Sequence, residues 1–363
     1  MLSQLEANRY SRHLLIPEFG IEGQLRLKNS SVLVVGCGGL GSPVLLYLAA
    51  AGVGTIGLID NDLIDDSNLQ RQVLFETASV GKPKAEAAAE RLHALNPYIN
   101  LVPHRLYLDA SNALTIFENY DLIIDGSDNF ETRYLVNDAC VLLDKPFVYG
   151  AIHRFEGQVA IFNYNNGPNY RDLFATPPPP ELAPNCAEAG VLGVLPGIIG
   201  CLQANEAIKL LAQIGEPLTG RLFVIDALTL ISRIIKIPKS PDSPKITELI
   251  DYEAFCNVSS PKNAVEISVQ ELQKLIETNA DFQLIDVREA NEYAISNLGG
   301  TLMPLSEIEN YTANIDRHKT VIVHCQAGSR SQKAIMYLTE SHKFTNLKNL
   351  TGGLLAYQKM TSG

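Results

Sequence analysis

The chain has 363 residues, of which 46% are hydrophobic and 19% charged, a composition typical of a soluble protein with more than one domain. Its net charge of −11 disfavours nucleic-acid binding, because an acidic surface repels a phosphate backbone. Six cysteines form no C-x-x-C pair, which argues against a disulfide framework. The N-terminus lacks a signal-peptide pattern, and glycines with Pro43 interrupt the uncharged stretch 29–59, so we expect a cytoplasmic protein without a membrane span.

Strands and helices alternate through the first two-thirds of the chain. The predicted elements are a strand at 31–36, a helix at 40–52, a strand at 55–60, an Ala-rich helix at 82–96, a strand at 122–128 and a helix from Asn129. An irregular proline-rich segment, 164–190, precedes a Gly-rich helix at about 193–211 and a further strand. This α/β alternation predicts a Rossmann-like, doubly wound and mostly parallel sheet.

A second, smaller α/β pattern follows a proline- and serine-rich stretch. Residues 237–264 hold four prolines and are predicted to be a linker between a domain at 1–236 and a domain at 265–363. In the second domain the sequence predicts strands around 282–289 and 319–325, and then a helix at about 331–341.

The first candidate site is a glycine-rich turn between the first strand and its helix. The sequence Gly36-Cys37-Gly38-Gly39-Leu40-Gly41 lets backbone N–H groups approach an anion beside a helix N-terminus. Asp60 lies 19 residues beyond Gly41, at the end of the next strand, where it suits a ribose hydroxyl. The motif predicts a nucleotide site, and by itself it fits a nicotinamide dehydrogenase equally well.

Polar residues downstream of the turn favour ATP. Cleavage of the α–β bond of ATP produces charge that cations and a carboxylate-held Mg²⁺ must neutralise. The chain offers Arg71 within the sequence SNLQRQ, Lys84 at the start of the Ala-rich helix and Asp128 at the end of a strand. Two alternatives concern single residues: Asp128 fits a capping box with Glu131, and Lys84 could be a solvated lysine in the first helical turn.

Six motifs in a fixed order resemble the bacterial MoeB/ThiF family, relatives of the ubiquitin-activating enzymes. They are GCGGLGS, ID-x-D, SNLQRQ, GKPKAEAA, DGSDNFETR and CAEAGVLG, and the resemblance covers about residues 5–236. It implies an adenylyltransferase that uses ATP and Mg²⁺. The ATP-binding residues that it implies are Gly39, Gly41, Asp60, Ser67, Asn68, Arg71 and Lys84, with Mg²⁺ on Asp128 beside Asn129. Arg12 would reach the ATP site of a partner subunit, which implies a homodimer.

The chain departs from this family at a zinc site and leaves one cysteine role open. Many relatives bind structural zinc through two C-x-x-C pairs, but here the first would fall at 169–172, where no cysteine occurs, and the second region retains only Cys256. We therefore predict no zinc. Cys186 occupies the position assigned in the family to a covalent carrier intermediate, and a small buried cysteine is an equal alternative.

The second candidate site is the loop from Cys325 to Arg330, between a strand and a helix. Inward-pointing N–H groups and the helix N-terminus favour a thiolate there, which could carry sulfur as a persulfide, and Arg330 could orient the donor. With LIDVREANEY upstream, residues 265–363 resemble the rhodanese family. The five-residue step from cysteine to arginine matches sulfurtransferases rather than tyrosine phosphatases, while Asp286 and Arg288 suit a structural ion pair.

These features together predict a fused enzyme. We expect it to adenylate the C-terminal Gly-Gly carboxylate of a small ubiquitin-like sulfur carrier, such as the small subunit of molybdopterin synthase or a thiamin-type carrier. A Cys325 persulfide, loaded by an upstream donor such as a cysteine desulfurase, would then yield a thiocarboxylate. The alternatives are a dinucleotide-dependent oxidoreductase with a regulatory rhodanese domain and a non-catalytic scaffold that binds the carrier. The sequence leaves the carrier and its pathway open.

Overall fold

The computed structural model describes residues 1–178, 190–241, 243–256 and 265–361. These residues divide into two compact units, one ending at Cys256 and the other beginning at Val265. Within the described ranges, no helix combines the length and the apolar character needed to cross a bilayer.

The first unit is built on an eight-stranded sheet with strand order β3-β2-β1-β4-β5-β6-β7-β8. Its strands are β1 Ser31–Val35, β2 Thr55–Ile59, β3 Asn100–His104, β4 Leu122–Asp125, β5 Phe147–His153, β6 Glu156–Phe162, β7 Arg221–Asp226 and β8 Ser232–Lys236. The strands from β3 to β5 pair in parallel, and the last three pairs are antiparallel. The predicted doubly wound and mostly parallel sheet is confirmed.

Ten described helices belong to the first unit. They are α1 Gln4–Arg9, α2 Ser11–Leu14, α3 Gly20–Asn29, α4 Gly41–Ala51, α5 Lys84–Leu95, α6 Ala113–Phe117, α7 Phe130–Leu142, α8 Tyr170–Leu173, α9 Leu195–Ala212 and α10 Tyr252–Cys256. Short 3₁₀ helices lie at Asp66–Asn68 and Thr77–Ser79. The predicted helices at 40–52, 82–96 and 193–211 therefore correspond to α4, α5 and α9, with ends that differ by one or two residues.

Apolar side chains on both faces of the sheet explain why the central strands read as continuous hydrophobic runs. One core contains α4 and α9 residues such as Leu45 and Ile199, and the other contains Phe117 and Tyr134. A parallel strand with helices on both faces buries every residue, as in β4, rather than every second one.

The order of the strands reverses between β1 and β4, so their loops diverge to opposite faces of the sheet. Val35 at the end of β1 is paired with Asp125 at the end of β4. In open α/β sheets the crevice outside the carboxyl ends of the strands at such a reversal is where ligands bind. The glycine turn and Asp128 both follow strands that end at this point.

Part of the segment that the sequence assigns to the linker packs on the first unit. Tyr252 in α10 is buried, and Leu249, Ile250 and Phe255 pack against the same core as Tyr134. The composition of this segment is that of a linker, but apolar residues between its prolines supply contacts that hold it on the first unit.

The second unit is a five-stranded parallel sheet with strand order β11-β10-β12-β13-β9. Its strands are β9 Val265–Ile267, β10 Phe282–Asp286, β11 Thr301–Leu302, β12 Thr320–His324 and β13 Leu347–Leu350. Its helices are α11 Val269–Glu277, α12 Ala290–Ile295, α13 Ser329–His342 and α14 Gly353–Thr361, with a 3₁₀ helix at Leu305–Asn314. The central strand β12 leads directly into the loop at Cys325.

Candidate active sites

Two glycines of the turn after β1 are required by the close approach of the backbone. Gly36 has φ +91°, and a Cβ there would lie 2.9 Å from the carbonyl oxygen of Gly126. A Cβ on Gly41 would overlap the carbonyl oxygen of Gly36. A Cβ on Gly38 would lie 3.6 Å from Nε2 of Gln72, and one on Gly39 would lie 3.1 Å from Cβ of Pro196 and 3.6 Å from Cγ of Arg71. Pro196 of α9 and Arg71 therefore both lie close to the turn.

Asp60 is tied to the glycine turn. Its carboxylate accepts a hydrogen bond from the Cys37 N–H at 2.9 Å and another from the Asp62 N–H at 2.9 Å. Burial raises the pKa of Asp60, and the Lys84 ammonium acts in the opposite direction. Cys37 is fully buried in the core, and burial raises the pKa of its thiol well above its ordinary value.

Lys84 is buried at the first position of α5, with a relative exposure of 6%. Its Nζ donates to Oδ2 of Asp62 at 2.8 Å, and Asp62 is itself largely exposed. The alternative of a solvated first-turn lysine is therefore wrong. A buried cation near a helix N-terminus is unfavourable unless an anion compensates it, and here the exposed Asp62 does so.

The 3₁₀ helix Asp66–Asn68 presents the SNLQRQ residues beside the turn. Asp65 caps it by accepting from both the N–H and the hydroxyl of Ser67, while Asn68 Oδ1 accepts from the Asp65 N–H. Nη1 of Arg71 donates to the Ser67 carbonyl at 3.1 Å. The segment is thus held by its own side chains, which leaves four of the five N–H bonds of Arg71 without a hydrogen bond among the described residues.

The structure gives the capping role to Asn129 and not to Asp128. The N-cap of α7 is Asn129, whose Oδ1 accepts from the Thr132 N–H at 2.8 Å. The alternative of Asp128 as the capping residue is therefore wrong, because the helix begins one residue later. Asp128 is exposed, and within the described ranges its carboxylate accepts no hydrogen bond.

A buried ion pair supports the loop that carries Asp128. Asp125 accepts from the N–H and the hydroxyl of Ser127, and Arg133 Nε lies 3.6 Å from its other oxygen. Arg133 also donates to the Ser127 carbonyl at 3.5 Å and lies over the Tyr149 ring. Burial raises the pKa of Asp125, and Arg133 acts against that rise. Sequence patterns did not identify this pair, since its partners belong to different elements.

Arg12 and Cys186 are the remaining predicted residues of the first site. Arg12 is an exposed residue of α2, and among the described residues no hydrogen bond or ion pair joins it to the glycine turn. Cys186 lies outside the described residues. The structure adds Gln72, which is 4% exposed beside Gly38 and whose Oε1 accepts no hydrogen bond among the described residues.

A network of charged and aromatic side chains includes Arg171, within residues 169–172, where the family resemblance would have placed the first C-x-x-C pair. Arg171 in α8 donates from Nε and Nη2 to Asp138 at 2.8 and 2.7 Å, and the Tyr252 hydroxyl donates to Asp138 at 2.9 Å. The Arg171 guanidinium also lies over the rings of Tyr134 and Phe255, at 5.0 and 4.7 Å. This network joins α7, α8 and α10. Among the described residues no cluster of three metal-ligating side chains occurs, and the absence of zinc remains a prediction.

Cys325 lies at the bottom of the second candidate site, fully buried after β12. The Gly328 N–H donates to its Sγ at 3.1 Å, and Gly328 has φ +103°, which turns this N–H inward. The Ser331 hydroxyl is 3.6 Å from Sγ and donates at 2.6 Å to Asn349 Oδ1, whose amide donates to Glu266. Among the described residues the Gly328 N–H is therefore the donor directed at the sulfur, while the Ser331 hydroxyl proton is donated to Asn349.

The two arginines near Cys325 are both engaged. Arg330 donates from Nη1 and Nη2 to the two carboxylate oxygens of Glu292 in α12, at 2.6 and 2.7 Å. Arg288 is 2% exposed and pairs with Asp286 at 2.6 Å, as the sequence predicts. Arg288 also donates to Gln326 and to the Ser296 carbonyl. Sequence reasoning missed Glu292, since it lies 38 residues from Arg330 and no short motif links them.

Comparisons with known proteins identify both units. The model of the ThiF family matches residues 10–245, and the model of the rhodanese-like domain matches residues 268–360. A protein of Mycobacterium tuberculosis, named as a probable adenylyltransferase/sulfurtransferase MoeZ, is 48% identical over 99% of this chain and 94% of its own length. The adenylyltransferase and sulfurtransferase MOCS3 of Aedes aegypti is 42% identical over 98% of this chain and 87% of its own length.

Solved structures resemble the first two-thirds of the chain. The crystal structure of MccB from E. coli with ATP has a TM-score of 0.58 and 25% sequence identity to this chain. The match covers 68% of this chain and 75% of the MccB chain. The same enzyme with its peptide MccA-N7isoASN gives a TM-score of 0.58 at 25% identity, over 67% of this chain and 74% of that one. These findings favour an ATP-dependent enzyme over the oxidoreductase alternative.

Proposed function

Since this chain belongs to the ThiF family and combines an adenylyltransferase with a sulfurtransferase, we propose that it activates the C-terminal Gly-Gly carboxylate of a small ubiquitin-like sulfur carrier and converts it to a thiocarboxylate. One observation supports this proposal. The glycine turn, the buried Lys84 and Asp128, which does not cap α7, lie around the point where the strand order reverses.

The first reaction would join the carrier carboxylate to the α-phosphorus of ATP and expel pyrophosphate. Gly39 and Gly41 offer backbone N–H groups and a helix N-terminus, and Asp60 offers acceptor oxygens for the ribose. Ser67, Asn68, Arg71 and Lys84 would bind the phosphates. Lys84 would exchange Asp62 for a phosphate oxygen, so that its cost of burial is offset by the ligand.

Asp128 is the residue that we propose to hold Mg²⁺, with Asn129 beside it. Mg²⁺ is usually bound by one or two carboxylates together with phosphate oxygens of the substrate. The Asp128 carboxylate is exposed and does not cap α7, so it can serve as such a ligand. When bound, Mg²⁺ would neutralise charge on the phosphates. The buried pair of Asp125 and Arg133 stabilises the loop that carries Asp128.

The second reaction would take sulfur from a persulfide on Cys325. The terminal sulfur attacks the acyl-adenylate carbonyl, AMP leaves with the bonding electrons, and an acyl disulfide joins the carrier to Cys325. A thiol then attacks the Cys325 sulfur of that disulfide and releases the thiocarboxylate. An external thiol would supply this step, and Cys186 stays a candidate for a covalent carrier intermediate. The Gly328 N–H would donate a hydrogen bond to Sγ of Cys325 during this transfer.

The partners that we propose are the carrier, a second copy of this chain and an upstream sulfur donor such as a cysteine desulfurase. The exposure of Arg12 is compatible with its reaching the ATP site of a partner subunit in a homodimer. The sulfur carriers of the molybdopterin, thiamin and other sulfur pathways have similar C-termini, so the C-terminus does not identify the carrier. The similarity to MOCS3 makes a molybdopterin-type carrier the first one to test.

The test is ATP–pyrophosphate exchange with carriers that end in Gly-Gly, each compared with the same carrier lacking its last glycine. We expect exchange only with the intact carrier. Lys84→Met should abolish it, whereas Lys82→Met, a matched change at an exposed neighbouring lysine, should not. Cys325→Ser should leave exchange intact and abolish thiocarboxylate formation, with Cys201→Ser as its control. Background exchange with every carrier tried would refute the proposal.

A further inference from the structure

Glu292 forms an ion pair with Arg330, the residue that we expect to orient a small anionic sulfur donor. It binds Arg330 through both carboxylate oxygens, at 2.6 and 2.7 Å, in a bidentate arrangement typical of strong ion pairs. The Arg330 side chain is 15% exposed and that of Glu292 30% exposed, so the pair lies at the border between interior and solvent. The hydrogen bonds from Arg330 hold the pKa of Glu292 below its usual value, and Glu292 is therefore charged at neutral pH.

The other arginine of this region offers no substitute. Arg288 donates to Asp286, to Gln326 Oε1 and to the Ser296 carbonyl, and it is 2% exposed. A dianion that approached Cys325 would thus meet a carboxylate in place of a free guanidinium. Thiosulfate is such a dianion, whereas a persulfide carried by another protein has at most one negative charge on its sulfur.

We propose that Glu292 is a specificity-determining residue, which disfavours dianionic donors and selects monoanionic persulfide donors for Cys325. The inference rests on the proposed role of Cys325 in sulfur transfer and adds the class of donor. With a persulfide, the Cys325 thiolate attacks the terminal sulfur of the donor, the S–S bond of the donor breaks, and the donor leaves as a thiolate. With thiosulfate the same attack expels sulfite, so the two reactions differ in the charge of the donor and not in the bond that forms.

Two small donors separate the effect of charge from that of shape. Thiosulfate is a dianion, and methanethiosulfonate is a monoanion of similar size that transfers the same sulfur and leaves as a sulfinate. Loading of Cys325 would be measured as the mass gain of one sulfur atom, and turnover as thiocyanate formed when cyanide removes that sulfur. Full-length protein would be used throughout.

The variant Glu292→Gln removes one charge and frees part of Arg330. We expect the KM for thiosulfate to fall about tenfold, because this change corresponds to the free energy of about one hydrogen bond to a charged group. The KM for methanethiosulfonate should change much less. Glu309→Gln is the matched control, because Glu309 is an exposed glutamate of the same unit and the change in net charge is equal. Glu292→Ala is a second variant, to be used if Glu292→Gln lowers the melting temperature.

The outcomes distinguish this inference from the role of Cys325. Loss of loading in Cys325→Ser, with loading of the wild type, supports that role. If thiosulfate and methanethiosulfonate change equally in Glu292→Gln, or if Glu309→Gln has the same effect, the selectivity assigned to Glu292 is wrong while the role of Cys325 stands. Loading that persists in Cys325→Ser would overturn both.

Discussion

The network around Arg171 gives a prediction whose magnitude follows from its burial. The side chains of Arg171 and Asp138 are 6% and 2% exposed, and two hydrogen bonds of 2.7–2.8 Å join them. Arg171→Ala would leave the Asp138 carboxylate buried without its cation, which costs about 3–5 kcal/mol. The lost contacts of the guanidinium with Tyr134 and Phe255 add to this cost.

The measurement is thermal unfolding of the full chain, with pyrophosphate exchange as the report on the first unit. A loss of this size lowers the melting temperature of a unit of this length by about 10 °C. Arg233→Ala is the control, since the Arg233 side chain is 65% exposed and its pair with Glu156 should contribute less than about 1 kcal/mol.

Replacing both partners by apolar residues, as in Arg171→Met with Asp138→Leu, should recover much of the stability, because no buried charge then remains. Equal melting of Arg171→Ala and Arg233→Ala would refute the reasoning. So would a wild-type protein that loses stability when a metal chelator is added, because a metal and not the ion pair would then hold these helices together.

Three further predictions concern single residues. Gly41→Ala should cost about 3 kcal/mol and abolish pyrophosphate exchange, since its Cβ would overlap a backbone oxygen, whereas Gly197→Ala, with open space around it, should be tolerated. Burial lowers the pKa of His324 from 6.5, so the unfolded chain alone gains a proton as the pH falls below about 6.5. The urea midpoint of the second unit should therefore drop between about pH 7.5 and 5.5, and His324→Gln should flatten that dependence. Asn129→Ala should lower the free energy of unfolding by about 1 kcal/mol because it removes the N-cap of α7, and Asp128→Ala should leave stability almost unchanged. Only Asp128→Ala should stop adenylation. A lower melting temperature for Asp128→Ala than for Asn129→Ala would contradict this.

Local patterns in the sequence predicted the helices α4, α5, α7, α9 and α13, the central strands and both loops that carry the candidate chemistry. Hydrophobic periodicity, the glycine turn and the Cys325–Arg330 spacing depend on residues that are near one another along the chain, so they could be recognised without coordinates. Composition was a poorer guide near 249–256, where a proline-rich context concealed apolar residues that pack on the first unit.

Only the tertiary structure decided which side chains meet across elements. Lys84 with Asp62, Arg171 with Asp138 and Arg330 with Glu292 are pairs separated by 22, 33 and 38 residues, and each changes what one member can do. Even the N-cap of α7, a local feature, shifted by one residue from Asp128 to Asn129. The sequence determined which chemical groups are present. Folding brought distant groups to within 3 Å of each other, and the energy of a charge depends on such neighbours and on its burial.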